Sequence, residues 1–496
     1  MDDVVAIEQV SARPKRAEKS LYKPRQAIHP KAVSGRYRRL KWALTAVLLA
    51  IYWGVPWLRW DRGPNFPDQA ALIDLPGRRF YFFMIEIWPQ EIYYLTGLLV
   101  LAAIGLFLVT AIAGRVWCGY ACPQTVWTDL FIAVESWIEG DRNARLKFDK
   151  APWTLDKIAR RGAKHALWIA IGVATGGAWV FYFADAPTLT AQLLSLSAPA
   201  PAYITIALLA GTTYLFAGFA REQVCTYMCP YARFQAAMFD EETLIVTYDR
   251  RRGEPRAKHK QGDGWQGRGD CIACNQCVAV CPAGIDIRDG QQLECITCAL
   301  CIDACNAVMD KVGRPRGLIR YDTVANLDRR ARGLAARFNL MRPRTLAYGA
   351  IVVAVSGLML TGLITRGTLD VNVLHDRNPF YVRLSDGSIR NGYTVKIINK
   401  SHEQRRYRVL VEGLGDARTT LLGGAAADAD AIEVAVASDR LGSFRVFVRA
   451  PQSVPREEGP RDQTEETERT PIDFVVTDLA DGGQVRNRSM FVRPES

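Results

Sequence analysis

The 496-residue chain carries twelve cysteines, all between Cys118 and Cys305, and their spacings fall into two kinds. "CIACNQCVAVCP" places Cys271, Cys274, Cys277 and Cys281 before Pro282, and "CITCALCIDACN" repeats the spacing with Cys295, Cys298, Cys301 and Cys305. C-x2-C-x2-C-x3-C-P is the run that holds iron–sulfur clusters in bacterial ferredoxins, and with two clusters the fourth cysteine of each run serves the other one. Two-residue gaps let a tight loop wrap three thiolates around one corner of an iron–sulfur cube. One [4Fe–4S] cluster is therefore expected on Cys271, Cys274, Cys277 and Cys305, and a second on Cys295, Cys298, Cys301 and Cys281. Zinc competes for Cys-x2-Cys pairs, but two complete four-cysteine runs in tandem favour iron–sulfur. The second run ends in Asn306 instead of proline. That proline directs the chain and coordinates nothing, so the ligand set stands. Two clusters this close form a path for electrons, at potentials the sequence leaves open over roughly −700 to +450 mV.

The second kind is Cys-x-x-x-Cys-Pro. "RVWCGYACPQT" (115–125) holds Cys118 and Cys122, and "EQVCTYMCPYA" (222–232) holds Cys225 and Cys229. If the preceding helices continue through them, sulfurs four residues apart share one face, and Pro123 and Pro230 disturb the helix just after. Soft thiolates, with Met228 nearby as a thioether, suit Cu(I). The competing readings are small buried apolar cysteines and ligands of a further cluster. Other cofactors leave no trace: there is no Cys-x-x-Cys-His for haem attachment and no Gly-x-Gly-x-x-Gly after a strand. Of five histidines only His165 lies in an apolar run, where it reads as capping the entry of a helix. His29, His259, His375 and His402 are scattered and receive no role.

Five apolar windows must position these cysteines: 41–58, 92–113, 165–184, 201–220 and 345–365. Each approaches the ~20 residues of a membrane-spanning helix, with charges at its ends. The first is not read as a cleavable signal, because some forty residues precede it and no small-residue cleavage site follows. Basic residues crowd "RYRRLK", "DRNARLKFDKAPWTLDKIARRGAK" and the loop from "DRRRGEPRAKHK" to "RRARGLAARFNLMRPR", whereas "DAPTLTAQLLSLSAPAP" has none. The positive-inside bias then puts the N-terminus in the cytoplasm and the C-terminal part outside. The net charge of +12 is mostly this asymmetry. Anionic lipid is its nearest partner, and nucleic acid is not expected. All cysteines fall at the cytoplasmic side, the reverse of a disulfide scaffold. The aromatic "FYFFMIEIW", between the first two windows, reads as an interfacial belt.

Beyond residue 366 the pattern turns to short alternating stretches: "FYVRL", "YTVKIIN", "RYRVLVE", "IEVAVA", "FRVFVR", "DFVVTD" and "SMFVR". Seven strands at this spacing predict an immunoglobulin-like β-sandwich, a binding module without the Cys…Trp…Cys signature. "EEGPRDQTEETERT" reads as a charged loop.

In order, "FYFFMIEIWPQE", "WCGYACPQ", "VCTYMCPYARFQ", a double ferredoxin run containing "ECITCALCIDAC" and a terminal β domain closely resemble the FixG/RdxA/CcoG family. The resemblance runs from about residue 35 to the end. It implies accessory proteins of cbb3-type cytochrome c oxidase assembly, in the bacterial inner membrane, that supply copper by reducing Cu(II) to Cu(I). It also implies two [4Fe–4S] clusters, five membrane helices and a periplasmic immunoglobulin-like domain, with Cys118, Cys122, Cys225 and Cys229 as the copper end. The expected partners are membrane lipid, oxidase subunits or copper-delivery proteins, and a cytoplasmic electron donor. The expected organisation is a basic cytoplasmic segment over 1–38 and four membrane helices with both Cys-x-x-x-Cys-Pro pairs over 39–244. A cytoplasmic ferredoxin-like domain over 245–340, a fifth helix over 341–366 and the periplasmic domain over 367–496 follow. A membrane ferredoxin serving a quinol pool and a non-redox assembly scaffold are the rivals.

Overall fold

The computed structural model describes residues 28–63, 66–259, 264–423, 429–451 and 467–494. Most of the expected N-terminal segment, 1–27, and residues 457–466 of the charged loop lie outside these. The chain divides into two units, Met1–Gly357 and Leu358–Ser496.

In the first unit, α1 (Arg36–Gly54) leads to a three-stranded antiparallel sheet of β1 (Ala71–Asp74), β2 (Arg79–Phe82) and β3 (Ile85–Ile87). The aromatic stretch read as a belt thus forms two strands, with Tyr81 and Trp88 buried beneath them. Helices α2 (Tyr93–Ala113), α3 (Val116–Tyr120), α4 (Pro123–Ile138), α5 (Arg142–Lys150), α6 (Leu155–Phe181), α7 (Ala186–Leu194), α8 (Ala200–Thr213) and α9 (Pro230–Ala237) follow. Between α8 and α9 the chain is wound as π-helix over Tyr214–Ala220 and Val224–Met228. Then come β4 (Ile245–Tyr248), α10 (Arg250–Gly253), α11 (Gln276–Ala279), α12 (Leu300–Lys311), β5 (Ile319–Asp322), α13 (Val324–Ala331) and α14 (Pro343–Ile364). Strand β5 pairs antiparallel with β4 and closes the cysteine-rich region.

Among the described residues, four helical stretches are long and apolar enough to cross a membrane: Arg36–Trp57, Pro89–Ala113, Ala200–Ala220 and Pro343–Ile364. Their outward side chains, such as Leu99, Leu208 and Val353, are 62–72% exposed, as helices that face lipid present them. The third apolar window, up to Phe181, lies in α6 but is not among these four. It is rich in small residues, and the structure uses them for packing. A Cβ on Gly172 would meet the Ala210 carbonyl oxygen at 3.0 Å, and one on Gly176 would meet that of Ile206 at 2.8 Å. Glycines four apart let α6 and α8 approach backbone to backbone. Helix α6 also begins ten residues before His165, capped by the Thr154 hydroxyl, which accepts from the Lys157 N–H at 3.2 Å. His165 is therefore no cap. It sits mid-helix, with Nδ1 3.0 Å from the Tyr214 hydroxyl.

Buried ion pairs tie α4 to its neighbours. Glu135 on α4 takes Arg221 at 2.7 Å and Arg145 at 3.0 Å, Lys164 reaches Glu139 at 2.8 Å, and Lys41 meets Asp129 at 2.9 Å. Breaking one such pair leaves an uncompensated buried charge, a loss of about 3–5 kcal/mol.

The second unit contains β6 (Leu369–His375), β7 (Val382–Arg383), β8 (Ile389–Asn399), β9 (Arg405–Glu412), β10 (Arg418–Leu421), β11 (Ala431–Val436), β12 (Arg440–Ala450), β13 (Thr467–Asp478) and β14 (Gln484–Pro494). One sheet runs β10-β12-β8-β6 with β7 on β8, and the other runs β11-β9-β13-β14. All seven expected strands are present; β6 and β10 are additional. Between the sheets Tyr393, Val395, Ile397, Val446, Val448, Phe474 and Phe491 are fully buried. They alternate along their strands as a half-buried sheet requires.

Candidate iron–sulfur and thiol site

Within each ferredoxin run the backbone is bent the same way. Ala273 and Asn275 in the first, and Thr297 and Ala299 in the second, have φ between 52° and 62°. Non-glycine residues in this region cost about 1–2 kcal/mol each. The cost recurs at matching positions, one and two residues after corresponding cysteines of the two runs. Short helices then carry the remaining cysteines away: α11 holds Cys277 and leads to Cys281, and α12 holds Cys301 and Cys305.

Two cavities result. One is lined by Cys271, Cys274, Cys277 and Cys305 together with Tyr248, Met309 and Leu318. The other is lined by Cys281, Cys295, Cys298 and Cys301 with Val246, Ile285 and Ile287, and Cys277 reaches its edge. Each cavity thus gathers three cysteines of one run and the fourth of the other, in apolar walls. Four thiols around an enclosed space fit a [4Fe–4S] cluster in donor type and number. Burial pushes the Cys277 and Cys295 thiols up to about 11 and those of Cys281 and Cys305 up to about 12. They hold their protons at neutral pH until metal displaces them. Cys274 alone of the eight is exposed.

The two Cys-x-x-x-Cys-Pro segments are not continuations of the preceding helices. Cys118 sits in the five-residue α3, and Cys122 is extended (φ −60°, ψ 128°) as the N-cap of α4. Cys229 is likewise extended (φ −83°, ψ 109°) and caps α9. A residue before proline is driven out of the helical region, and proline is well suited to a helix's first position. Each proline therefore starts a helix, and the cysteine before it sits at that helix's positive end. The backbone N–H groups of Thr125 and Gln124 stabilise the Cys122 thiolate. Cys225 lies in π-helix, where the Cys229 N–H reaches the Val224 carbonyl at 2.8 Å. The expected i, i+4 face is thus replaced by two kinked turns.

The four thiols nevertheless form one electrostatic group. Burial pushes Cys225 up to about 12, and its neighbours Cys122, Cys118 and Cys229 add to the effect. Burial also raises Cys118 and Cys122, and each feels Cys229. Arg115, 2% exposed, opposes the rise at all three. Among the described residues no three His, Cys, Asp or Glu side chains gather closely enough to hold a single ion. The sulfurs converge without closing. The Cys118 thiol donates to Gln235 Oε1 at 3.0 Å, deep inside.

This thiol group adjoins the second cavity. Cys118 packs in one apolar cluster with Ile296, Cys298 and Leu300. The Tyr120 hydroxyl donates to the Cys298 carbonyl at 3.1 Å. A Cβ on Gly119 would lie 2.6 Å from the Ile296 carbonyl oxygen and 3.0 Å from Cys298 Cα. Arg115 donates to the Leu293 carbonyl. A further small cavity joins Cys225, Arg221 and Asp129 to Pro282, Ala283 and Ile296. Sequence reasoning missed Gly119, Arg115 and Gln235.

A bundle of apolar helices carrying a two-cavity ferredoxin region defines a membrane-associated 4Fe–4S protein. Residues 220–324 match the model of a 4Fe-4S dicluster domain, 95–143 that of a 4Fe-4S binding domain, and 359–494 that of the IG-like fold at the C-terminal of FixG. "Nitrogen fixation protein FixG" of Rhizobium meliloti is 53% identical over 460 residues, spanning 87% of this chain and 88% of that protein. Protein RdxB of Cereibacter sphaeroides is 52% identical over 476 residues (95% and 97% of the two chains). Protein RdxA of the same organism is 52% identical over 435 residues (87% and 91%). The chain belongs to the FixG/RdxA/RdxB family.

Proposed function

We propose that the protein is a cupric reductase that prepares Cu(I) for a cbb3-type cytochrome c oxidase. On this reading it is a multi-pass protein of the bacterial inner membrane, with α6 as a fifth span. The N-terminus and the ferredoxin region face the cytoplasm, and the β-sandwich lies in the periplasm, where it meets oxidase subunits or copper-delivery proteins. Cys271, Cys274, Cys277 and Cys305 hold one [4Fe–4S] cluster, and Cys281, Cys295, Cys298 and Cys301 the other. Bound there, the clusters supply one-electron redox chemistry.

Copper is the substrate. Cu(II) gains one electron and becomes Cu(I), the state that thiolates favour. Cys118, Cys122, Cys225 and Cys229 receive it, drawing together as their protons leave, while Arg115 offsets the negative charge that develops. The observation that carries this reading is the packing of Cys118 and Gly119 directly against Ile296 and Cys298, which puts a soft-ligand group beside a redox cavity. The test is a reductase assay on purified protein, with Cu(I) captured by a chelator. Cys298→Ala should abolish turnover. Turnover that survives in protein without iron would contradict the reading.

A second reading has one observation in its favour: the 4Fe-4S binding model that matches 95–143 includes Cys118 and Cys122. On that reading these cysteines hold additional iron. Two clusters give about eight iron atoms per chain, so an iron count above that would favour it.

A further inference from the structure

An open groove of about 1260 Å³ runs along β4 and α13, and it shares walls with both cysteine cavities. Val246 and Ile287 line the groove and also the cavity of Cys281, Cys295, Cys298 and Cys301. Tyr248 lines the groove and also the cavity of Cys271, Cys274, Cys277 and Cys305. Four arginines edge the groove: Arg250, Arg251, Arg252 and Arg330. Two are neutralised, Arg252 by Asp270 and Arg330 by Asp322. Arg250 and Arg251 are exposed, and their hydrogen bonds go to the backbone carbonyls of Arg288 at 3.4 Å and Ala331 at 2.7 Å. Carbonyls satisfy the donors and leave the charge. Against these two the groove offers Asp328, since Asp249 is taken by Arg320 at 2.9 Å. Next to Arg250 lies the buried Arg288, whose charge is met by Asp286 at 2.5 Å and whose guanidinium also donates to Asn275 Oδ1 at 2.7 Å. Asn275 is the neighbour of Cys274, the one exposed cysteine of the eight.

We propose that this groove is the docking surface of a small acidic one-electron carrier protein, of the flavodoxin or ferredoxin class. The inference rests on the redox reading above and adds the partner to it. In the step concerned the carrier gives up one electron and this chain gains it near Cys274; no bond or proton need change hands. Charge supplies steering and orientation, and the apolar floor of Val246 and Ile287 supplies a close approach. Anionic lipid would answer the same charges. It has no use, however, for a floor shared with two redox cavities.

The test uses the full-length, cluster-loaded protein in zwitterionic nanodiscs, with an acidic flavodoxin as the probe. Binding of oxidised flavodoxin and reduction of the protein by flavodoxin hydroquinone are measured across ionic strength, and dithionite serves as the small reductant. In the Arg250→Glu, Arg251→Glu variant the flavodoxin Kd should rise about tenfold or more at low salt, and its salt dependence should flatten. Reduction by dithionite should be unchanged. An unchanged Kd and salt dependence would overturn the proposal. So would loss of binding to phosphatidylglycerol vesicles with flavodoxin binding intact, which would assign the groove to lipid. Clusters that dithionite cannot reduce in either protein would refute the redox reading itself. Should the double reversal lack cluster absorbance, Arg250→Gln, Arg251→Gln carries the same prediction, with a smaller rise of about threefold.

Discussion

Cys122 and Cys229 owe their conformation to the prolines that follow them, and at Cys122 the backbone N–H groups of Thr125 and Gln124 oppose the rise that burial imposes on the thiol. Arg115 works in the same direction from inside the protein. Arg115→Met should therefore slow alkylation of Cys118, Cys122 and Cys225 at pH 8 by several-fold in the folded protein and leave the unfolded chain's reactivity unchanged. Equal rates in the folded state would remove Arg115 from the site. At this scale the eight ferredoxin cysteines were legible, because their geometry is set by gaps of two and three residues. Arg115 and Gly119 were not. Their partners, Leu293 and Ile296, lie more than 170 positions away, and nothing local marks an arginine or a glycine as buried against them.

Helix α3 touches the loop of Cys295–Cys301 through a glycine, and that contact fixes the distance between the two halves of the site. Gly119→Ala should cost about 1–3 kcal/mol, the usual penalty for a side chain forced into a filled interface. It should also slow electron arrival at the paired cysteines; a variant of wild-type stability and rate would show that the contact is not required. In the sandwich, the buried Asn391 on β8 donates to the Val492 carbonyl and accepts from the Val492 N–H, both at 2.9 Å. Asn391→Ala leaves both backbone groups of β14 unpaired and should lower unfolding free energy by about 2–4 kcal/mol, as read by denaturant unfolding. Apolar periodicity revealed the helices and most strands because burial repeats every 3.6 or 2 residues. It failed at β10, which has only four residues, and at β1–β3, whose aromatic sequence equally suits a membrane interface. It failed too at the Cys-x-x-x-Cys-Pro turns, where helix propensity continues but the residue before proline cannot follow.

At the scale of the whole molecule, burial keeps several thiols of the ferredoxin region protonated. For Cys277, Cys281, Cys295 and Cys305 the folded values lie above an unfolded value of about 9. Folding of the metal-free protein is thus favoured by the protonated forms, fully so below pH 9. That stability should fall progressively as pH rises from about 9 towards 12. Thermal melting of metal-free protein over this range checks it, and a melting temperature independent of pH would contradict it. Cluster-loaded protein should show no such loss, because ligation has already removed the protons. In the proposed function, the exposed cysteine at one cavity, the second cavity and the four thiols beside it are the stations of a route from solution to copper. The direct test of that route is a single anaerobic turnover. Reduced protein is mixed with one equivalent of Cu(II), cluster oxidation is followed by EPR, and Cu(I) is trapped by a chelator. We expect one Cu(I) for each electron lost, and marked slowing in the Cys118→Ala, Cys225→Ala variant. Clusters that remain reduced in the presence of Cu(II), or a variant as fast as the wild type, would contradict the account.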